Sequence, residues 1–446
     1  MKKLIGTVAV AAMLATAAFA EGLSFGSWGR ALWIVGSAAA VDADGKVTDN
    51  TVTSWLGQSW GGAGPRTALG VSGSSDNVGF VLDLHANGGG VGVGDNALVW
   101  AKPVDMLKIM FAAKNDQNIL RSDACFGLWN FDRIGAVSRF DEEGWIFPDI
   151  LDRNISLILT PVEGLTIGYG FDVWVADTGW NGPNRVKPAK ADDAAKYFFS
   201  TQNTNKAVVT DDSNRFVDQI GRTSTIAAAY SIANIGTIKV GFHSLGKGYD
   251  KEGGWAGADR KDKFMVAAAF EFTMLEKVYL AVGARIPLGG TFGKYFVDED
   301  GNYNKGAIYV ANAESTYVNL YARLNLIEGL GIHILGGVKL NSADYKKGDF
   351  KASGALGFRA GAEVDYAFSN GVGVFAEVEY ANGIWMAENS GDNNDSLTFG
   401  LGVTKGFSNG VIGIAFEGST NAYGRNGLKN ADDLAWEVPL KLEYWF

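Results

Sequence analysis

The chain ends in Ala435-Trp436-Glu437-Val438-Pro439-Leu440-Lys441-Leu442-Glu443-Tyr444-Trp445-Phe446. Counting back in twos from Phe446 gives Tyr444, Leu442, Leu440, Val438 and Trp436, and the interleaved set is Trp445, Glu443, Lys441, Pro439 and Glu437. One parity is wholly apolar with aromatics at both ends; the other is mostly charged. Successive side chains of a strand point to opposite faces, so the stretch predicts a β-strand with hydrocarbon on one side and water on the other. About ten residues, apolar within and aromatic at each end, is also the length that crosses a bilayer when tilted. A soluble sandwich strand alternates in the same way, so the remaining chain has to decide.

Alternation recurs throughout. Leu23 to Gly36 sets Phe25, Trp33 and Val35 against Trp28 and Arg30, and Val78, Phe80, Leu82 and Leu84 oppose Asp83 and His85. Further on, Val318, Leu320, Ala322 and Leu324 oppose Tyr317, Asn319, Tyr321 and Arg323, and Val374, Ala376 and Val378 oppose Phe375, Glu377 and Glu379. Short turns separate such runs at Lys102–Ile109, Thr160–Ile167, Asn325–Ile332, Phe368–Val374 and Phe407–Ile414, with Glu-Gly or Asn-Gly supplying the turn chemistry in the last four. Long polar connections, such as Asn181 to Asn214 and Leu288 to Glu314, alternate with these tight turns. Short turns at one end and long loops at the other describe an up-and-down transmembrane barrel. About eighteen candidate strands can be marked, more than the roughly seven to nine of a sandwich and within the range of roughly eight to twenty-six for outer-membrane barrels.

The expected fold is therefore all-β, a transmembrane up-and-down antiparallel β-barrel of 16 to 18 strands, with 18 the best count. Residues 1–20 read as a secretory signal peptide: Lys2 and Lys3, an apolar run, then Ala18-Phe19-Ala20 ahead of Glu21. Residues 21–446 form the single barrel domain. The one cysteine, Cys125, has no internal partner for a disulfide. A formal charge of -10 argues against nucleic acid as a partner.

A chain closing on such a strand with a terminal Phe resembles bacterial outer-membrane barrels, and the whole pattern resembles bacterial porins, with a weaker similarity to spirochaete outer-membrane barrels. The resemblance implies a place in the cell outer membrane after export, contact with its lipid, and recognition by the outer-membrane assembly machinery through Trp436, Tyr444 and Phe446. It also implies a channel for small hydrophilic solutes or ions and a homo-oligomer such as a trimer. The alternative is a surface adhesin or structural barrel without an open pore.

Enzyme chemistry is not expected. His85, His243 and His333 lie on different strands outside any catalytic motif, each on the polar parity of its strand. No cofactor is implied, and Val41 to Gly45 and Asp298 to Asn302 lack the glutamate that completes a calcium loop. Charges on the polar parity, Arg30, Asp83, Arg285, Arg323, Arg359, Glu363, Glu377 and Glu379 among them, are expected to line the lumen and set selectivity locally. Segment 115–152 mixes aromatics with Arg121, Asp132, Arg133, Arg139, Asp141, Glu142 and Glu143. It resembles the porin loop that folds inward to narrow the pore; an external lid or an oligomer contact is the alternative.

Overall fold

The computed structural model describes residues 22–37, 54–57, 65–87, 90–115, 155–171, 224–244, 264–288, 316–340, 346–347, 350–351, 356–382, 395–420 and 435–446. In the first half run β1 (Leu23–Ser37), β2 (Trp55–Gly57), β3 (Arg66–Ser74), β4 (Val78–Asn87), β5 (Gly90–Val104), β6 (Leu107–Lys114), β7 (Ile155–Val162), β8 (Leu165–Phe171), β9 (Thr225–Ile232) and β10 (Gly236–Ser244). The second half supplies β11 (Phe264–Phe272), β12 (Val278–Leu288), β13 (Thr316–Ile327), β14 (Leu330–Leu340), β15 (Lys346–Lys347), β16 (Phe350–Lys351), β17 (Leu356–Ala367), β18 (Val372–Ala381), β19 (Ser396–Phe407), β20 (Gly410–Ser419) and β21 (Ala435–Trp445).

Each long strand pairs antiparallel with the next, and β21 returns to pair with β1. Eighteen strands thereby close a barrel, the number expected from the sequence. The short β2 was not anticipated: it lies on the β3 side of β1, matching Leu32 with Gly57 above the point where Arg30 matches Arg66. A two-stranded ribbon, β15 with β16, was likewise missed within a polar connection. At the seam Arg30 opposes Glu443, and the backbones of Ser27 and Phe446 exchange two hydrogen bonds of 2.7 and 3.2 Å. The final residue is thus part of the sheet.

The tight turns fall where the sequence placed them, and their chemistry explains them. Glu163-Gly164 and Glu328-Gly329 each close a two-residue loop, with φ of 80° and 78° at the glycines. A Cβ at Gly164 would also meet the Ser231 carbonyl oxygen at 2.7 Å, so backbone conformation and space both require glycine there. The Asn409-Gly410 turn is shifted by one residue: the chain reverses on Ser408-Asn409 and Gly410 already opens β20.

Burial follows the alternation. On β13, Tyr317, Asn319 and Tyr321 are buried while Val318 and Leu320 are exposed, and on β18 Phe375, Glu377 and Glu379 are buried while Val374 and Val378 are exposed. In a closed barrel the shielded parity is the interior. The exterior is accordingly a continuous apolar surface that includes Trp33, Phe80, Val99, Phe111, Val240, Val282, Leu320, Phe358, Leu401 and Leu442. An apolar surface of that extent is stable only against hydrocarbon. Small residues let aromatics lie along this face: the Tyr444 ring covers Gly29 across the seam, and the Phe399 ring covers Gly418.

Candidate pore wall

The inner wall is built from register rows that cross the strands. One row runs Tyr279, Arg323, His333, Glu363, Glu377, Gly400, Glu417 and Glu437, each the cross-strand partner of the next from β12 to β21. Four glutamates on one row is unusual, because like charges directly opposite each other repel. Glycine relieves part of the crowding: the Glu377 carboxylate leans over Gly400, where a Cβ would meet its Oε1 at 3.0 Å. One row away, Arg359 Nη1 lies 3.7 Å from Glu379 Oε1, both deeply buried.

Charge is segregated around the wall. Arg285, Arg323, Lys339 and Arg359 stand on β12, β13, β14 and β17, interleaved with Tyr279, Tyr317 and Tyr321. The Arg285 guanidinium lies 4.4 Å from the centroid of the Tyr317 ring, Arg323 lies 5.3 Å from that of Tyr279, and the Lys339 ammonium 5.9 Å from that of Tyr317. Aromatic faces hold cations by their negative quadrupole and fix their long stems against the wall. Beside this basic sector, β17 to β21 carry Glu363, Asp365, Glu377, Glu379, Glu417, Glu437 and Glu443. The two sectors adjoin. Further round, the wall carries an apolar patch formed by Leu98, Met110, Ala227 and Ala267, with Val81, Trp100, Ala112 and Ile158 packed against them. Leu32 and Ile34 also face inward and are fully buried.

Charges on the wall also pair locally. Arg30 Nη2 donates to Glu443 Oε1 at 2.7 Å, with Lys441 Nζ 3.6 Å from the other carboxylate oxygen. Lys239 pairs with Glu271 at 2.7 Å, and the Tyr279 hydroxyl donates to the same carboxylate at 2.7 Å. Asp95 gathers Arg66 at 3.3 Å, His85 at 3.5 Å and Lys114 at 3.9 Å, and Asn96 donates to Asp83 at 2.8 Å.

Of the residues singled out from sequence, Arg30, Asp83, Arg285, Arg323, Arg359, Glu363, Glu377 and Glu379 all sit on the inward parity. Trp436, Tyr444 and Phe446 lie on the outward parity of β21. Arg121, Asp132, Arg133, Arg139, Asp141, Glu142 and Glu143 lie outside the described residues, as do the signal peptide and Cys125. Sequence reading missed the apolar inward sector, because Leu98, Met110 and Ile158 continue the apolar runs of their strands. It also missed the grouping of His333 with Asp365 and Tyr321, in which His333 Nε2 is 3.0 Å from Asp365 Oδ2 and Nδ1 is 2.8 Å from the Tyr321 hydroxyl. Counting outward from the Glu328-Gly329 turn would have found the pairing on β14, but not the step to β17.

No family model matches the chain, and no curated protein matches it. Solved structures do. Pseudomonas aeruginosa OccK11 (OpdR) aligns with a TM-score of 0.50 at 10% identity, over 96% of this chain and 97% of that one. The outer membrane protein opdK from the same organism aligns with a TM-score of 0.49 at 8% identity, over 96% and 99%. A mutant of the Rh. blastica porin aligns with a TM-score of 0.40 at 10% identity, over 95% and 100%. By fold, the molecule is an antiparallel transmembrane β-barrel of 18 strands.

Proposed function

We propose that this protein is an outer-membrane channel for the passive diffusion of small hydrophilic solutes or ions, and not an enzyme. The observation that carries the proposal is the side-by-side basic and acidic sectors on the inner wall of a closed barrel whose outside is apolar. Fixed charges of both signs replace part of a solute's hydration shell and act at short range, so selectivity is set where the path is narrowest and not by net charge. The field of Arg285, Lys339 and Arg359 would favour anionic groups along one side of the path, and that of Glu363, Glu377 and Glu417 cations along the other. The charged residues of segment 115–152 are proposed to add to the lining.

Location follows from the same reading. Residues 1–20 would direct export and be removed after Ala20, and the β21 strand with Phe446 would be read by the assembly machinery. The finished barrel would contact outer-membrane lipid and assemble as a homo-oligomer. Single-channel recording on purified, refolded protein tests the reading. Discrete conductance steps in simple salt support it, and a correctly folded barrel with no conductance would instead favour a surface adhesin or structural role.

A further inference from the structure

We propose that His333, Glu363 and Asp365 form a site for a divalent transition-metal cation of the zinc class on the inner wall. The proposal goes beyond solute passage and does not require an open pore. His333 on β14 and Glu363 on β17 are direct cross-strand partners, and Asp365 lies two residues further along β17 on the same face. One imidazole nitrogen and one oxygen from each carboxylate all lie within 4.8 Å of one another. Two metal bonds of about 2.1 Å span at most about 4.2 Å, so any wider separation must close on binding. Asp365, whose side chain is 36% exposed, has the freedom to make that movement.

Three features of the surroundings serve a ligand set and not merely an ion pair. Tyr321 places its hydroxyl 2.8 Å from Nδ1, so Nδ1–H can donate to it and leave the Nε2 lone pair facing the carboxylates. This is how a second layer of contacts orients a metal-binding histidine. Gly331, the cross-strand partner of Asp365, lies under its carboxylate, and any Cβ there would collide with Oδ2. The glycine is what lets the carboxylate reach His333. Finally, Glu363 is 3% exposed and faces Glu377 directly, so a divalent cation would relieve a repulsion built into the row. Arg323, the partner of His333 on β13, has its guanidinium 5.3 Å from the centroid of the Tyr279 ring.

The donor set decides the class of ion. Imidazole with carboxylates suits zinc, nickel or copper, whereas magnesium and calcium prefer oxygen alone. Side-chain exposures of 14% at His333 and 36% at Asp365 leave the group reachable from the lumen.

Isothermal titration of the refolded full-length barrel with zinc chloride, and separately with magnesium chloride, tests the proposal. One zinc site per chain is expected, with no comparable magnesium binding. Asp365→Asn and His333→Ala should each weaken zinc by about tenfold or more, Tyr321→Phe by about tenfold, and His85→Ala should leave it unchanged. Heat-modifiable gel mobility reports folding of every variant, and His333→Gln replaces His333→Ala if the latter does not refold. Absence of zinc binding by the parent, equal binding of magnesium, or parental affinity in the folded His333 and Asp365 variants would each overturn it. Calorimetry needs no current, so a barrel that binds zinc but does not conduct refutes the channel and keeps the site, and the converse result does the opposite.

Discussion

Glu417 on β20 and Glu437 on β21 are direct cross-strand partners facing the interior, and each is only 1% exposed. With Glu363 and Glu377 on the same row they concentrate negative charge on one side of the wall. Replacing Glu377, Glu417 and Glu437 together by Gln should move the reversal potential in a salt gradient towards anion preference. Replacing Arg285, Lys339 and Arg359 by Gln should move it the other way. Equal shifts of one sign from both sets would refute the segregated wall, and the effect should shrink at high salt only modestly for groups this buried.

Orientation in the lipid can be tested at two neighbouring residues of the last strand. Leu440 faces outward and Lys441 inward. Leu440→Asp places a carboxylate against hydrocarbon and should reduce insertion, at a cost of up to a few kcal/mol near the midplane. Lys441→Ala should insert normally. Urea-gradient unfolding in liposomes measures both, and similar behaviour would reverse the assignment of faces.

The Tyr444 ring lies on Gly29 across the closing pair of strands. Gly29→Val should push the ring away and weaken the seam, and Tyr444→Ala should do the same by uncovering it, each by about 0.2–1 kcal/mol. Thermal unfolding in detergent reads the difference. If the ring-on-glycine contact matters, combining the two changes should cost less than the sum of the single effects.

Sidedness follows from the turn pattern. The start of β1, the end of β21 and the turns that join β3–β4, β5–β6, β7–β8, β9–β10, β11–β12, β13–β14, β17–β18 and β19–β20 share one rim, and the other strand ends, among them the β4 and β5 ends paired at Asn87 and Gly90, share the other. Cysteine introduced as Asn203→Cys should be labelled on intact cells by a membrane-impermeant maleimide, and Asn370→Cys should be labelled only after lysis, both in a Cys125→Ser background. The opposite pattern would place the rims the other way round.

Strand identity, turn positions and the inward charges were legible because each depends on the local period of two. Val374, Phe375, Ala376 and Glu377 announce their faces without knowledge of any partner strand. The count of eighteen followed from the same reading, since Glu-Gly and Asn-Gly turns mark the strand ends. What could not be read depends on pairing between strands. The row joining His333, Glu363, Glu377 and Glu417 needs the register of four hairpins and connections at once, and one bulge, such as that between Ile34 and Gly36, shifts everything beyond it. The apolar patch of Leu98 and Met110 was invisible for another reason: an inward Met looks like an outward one until its neighbours are known.

The pairing of Arg30 with Glu443 joins residues 413 positions apart in the chain. Everything between them must exist before that contact can form, so the cylinder cannot be completed from any shorter piece. Until β21 meets β1, two rows of backbone amides and carbonyls would lie open, and hydrocarbon offers them no partner. Partial structures are therefore penalised in the bilayer far more than in water. Folding and insertion of this chain should behave as one event whose timing is set by the arrival of β21.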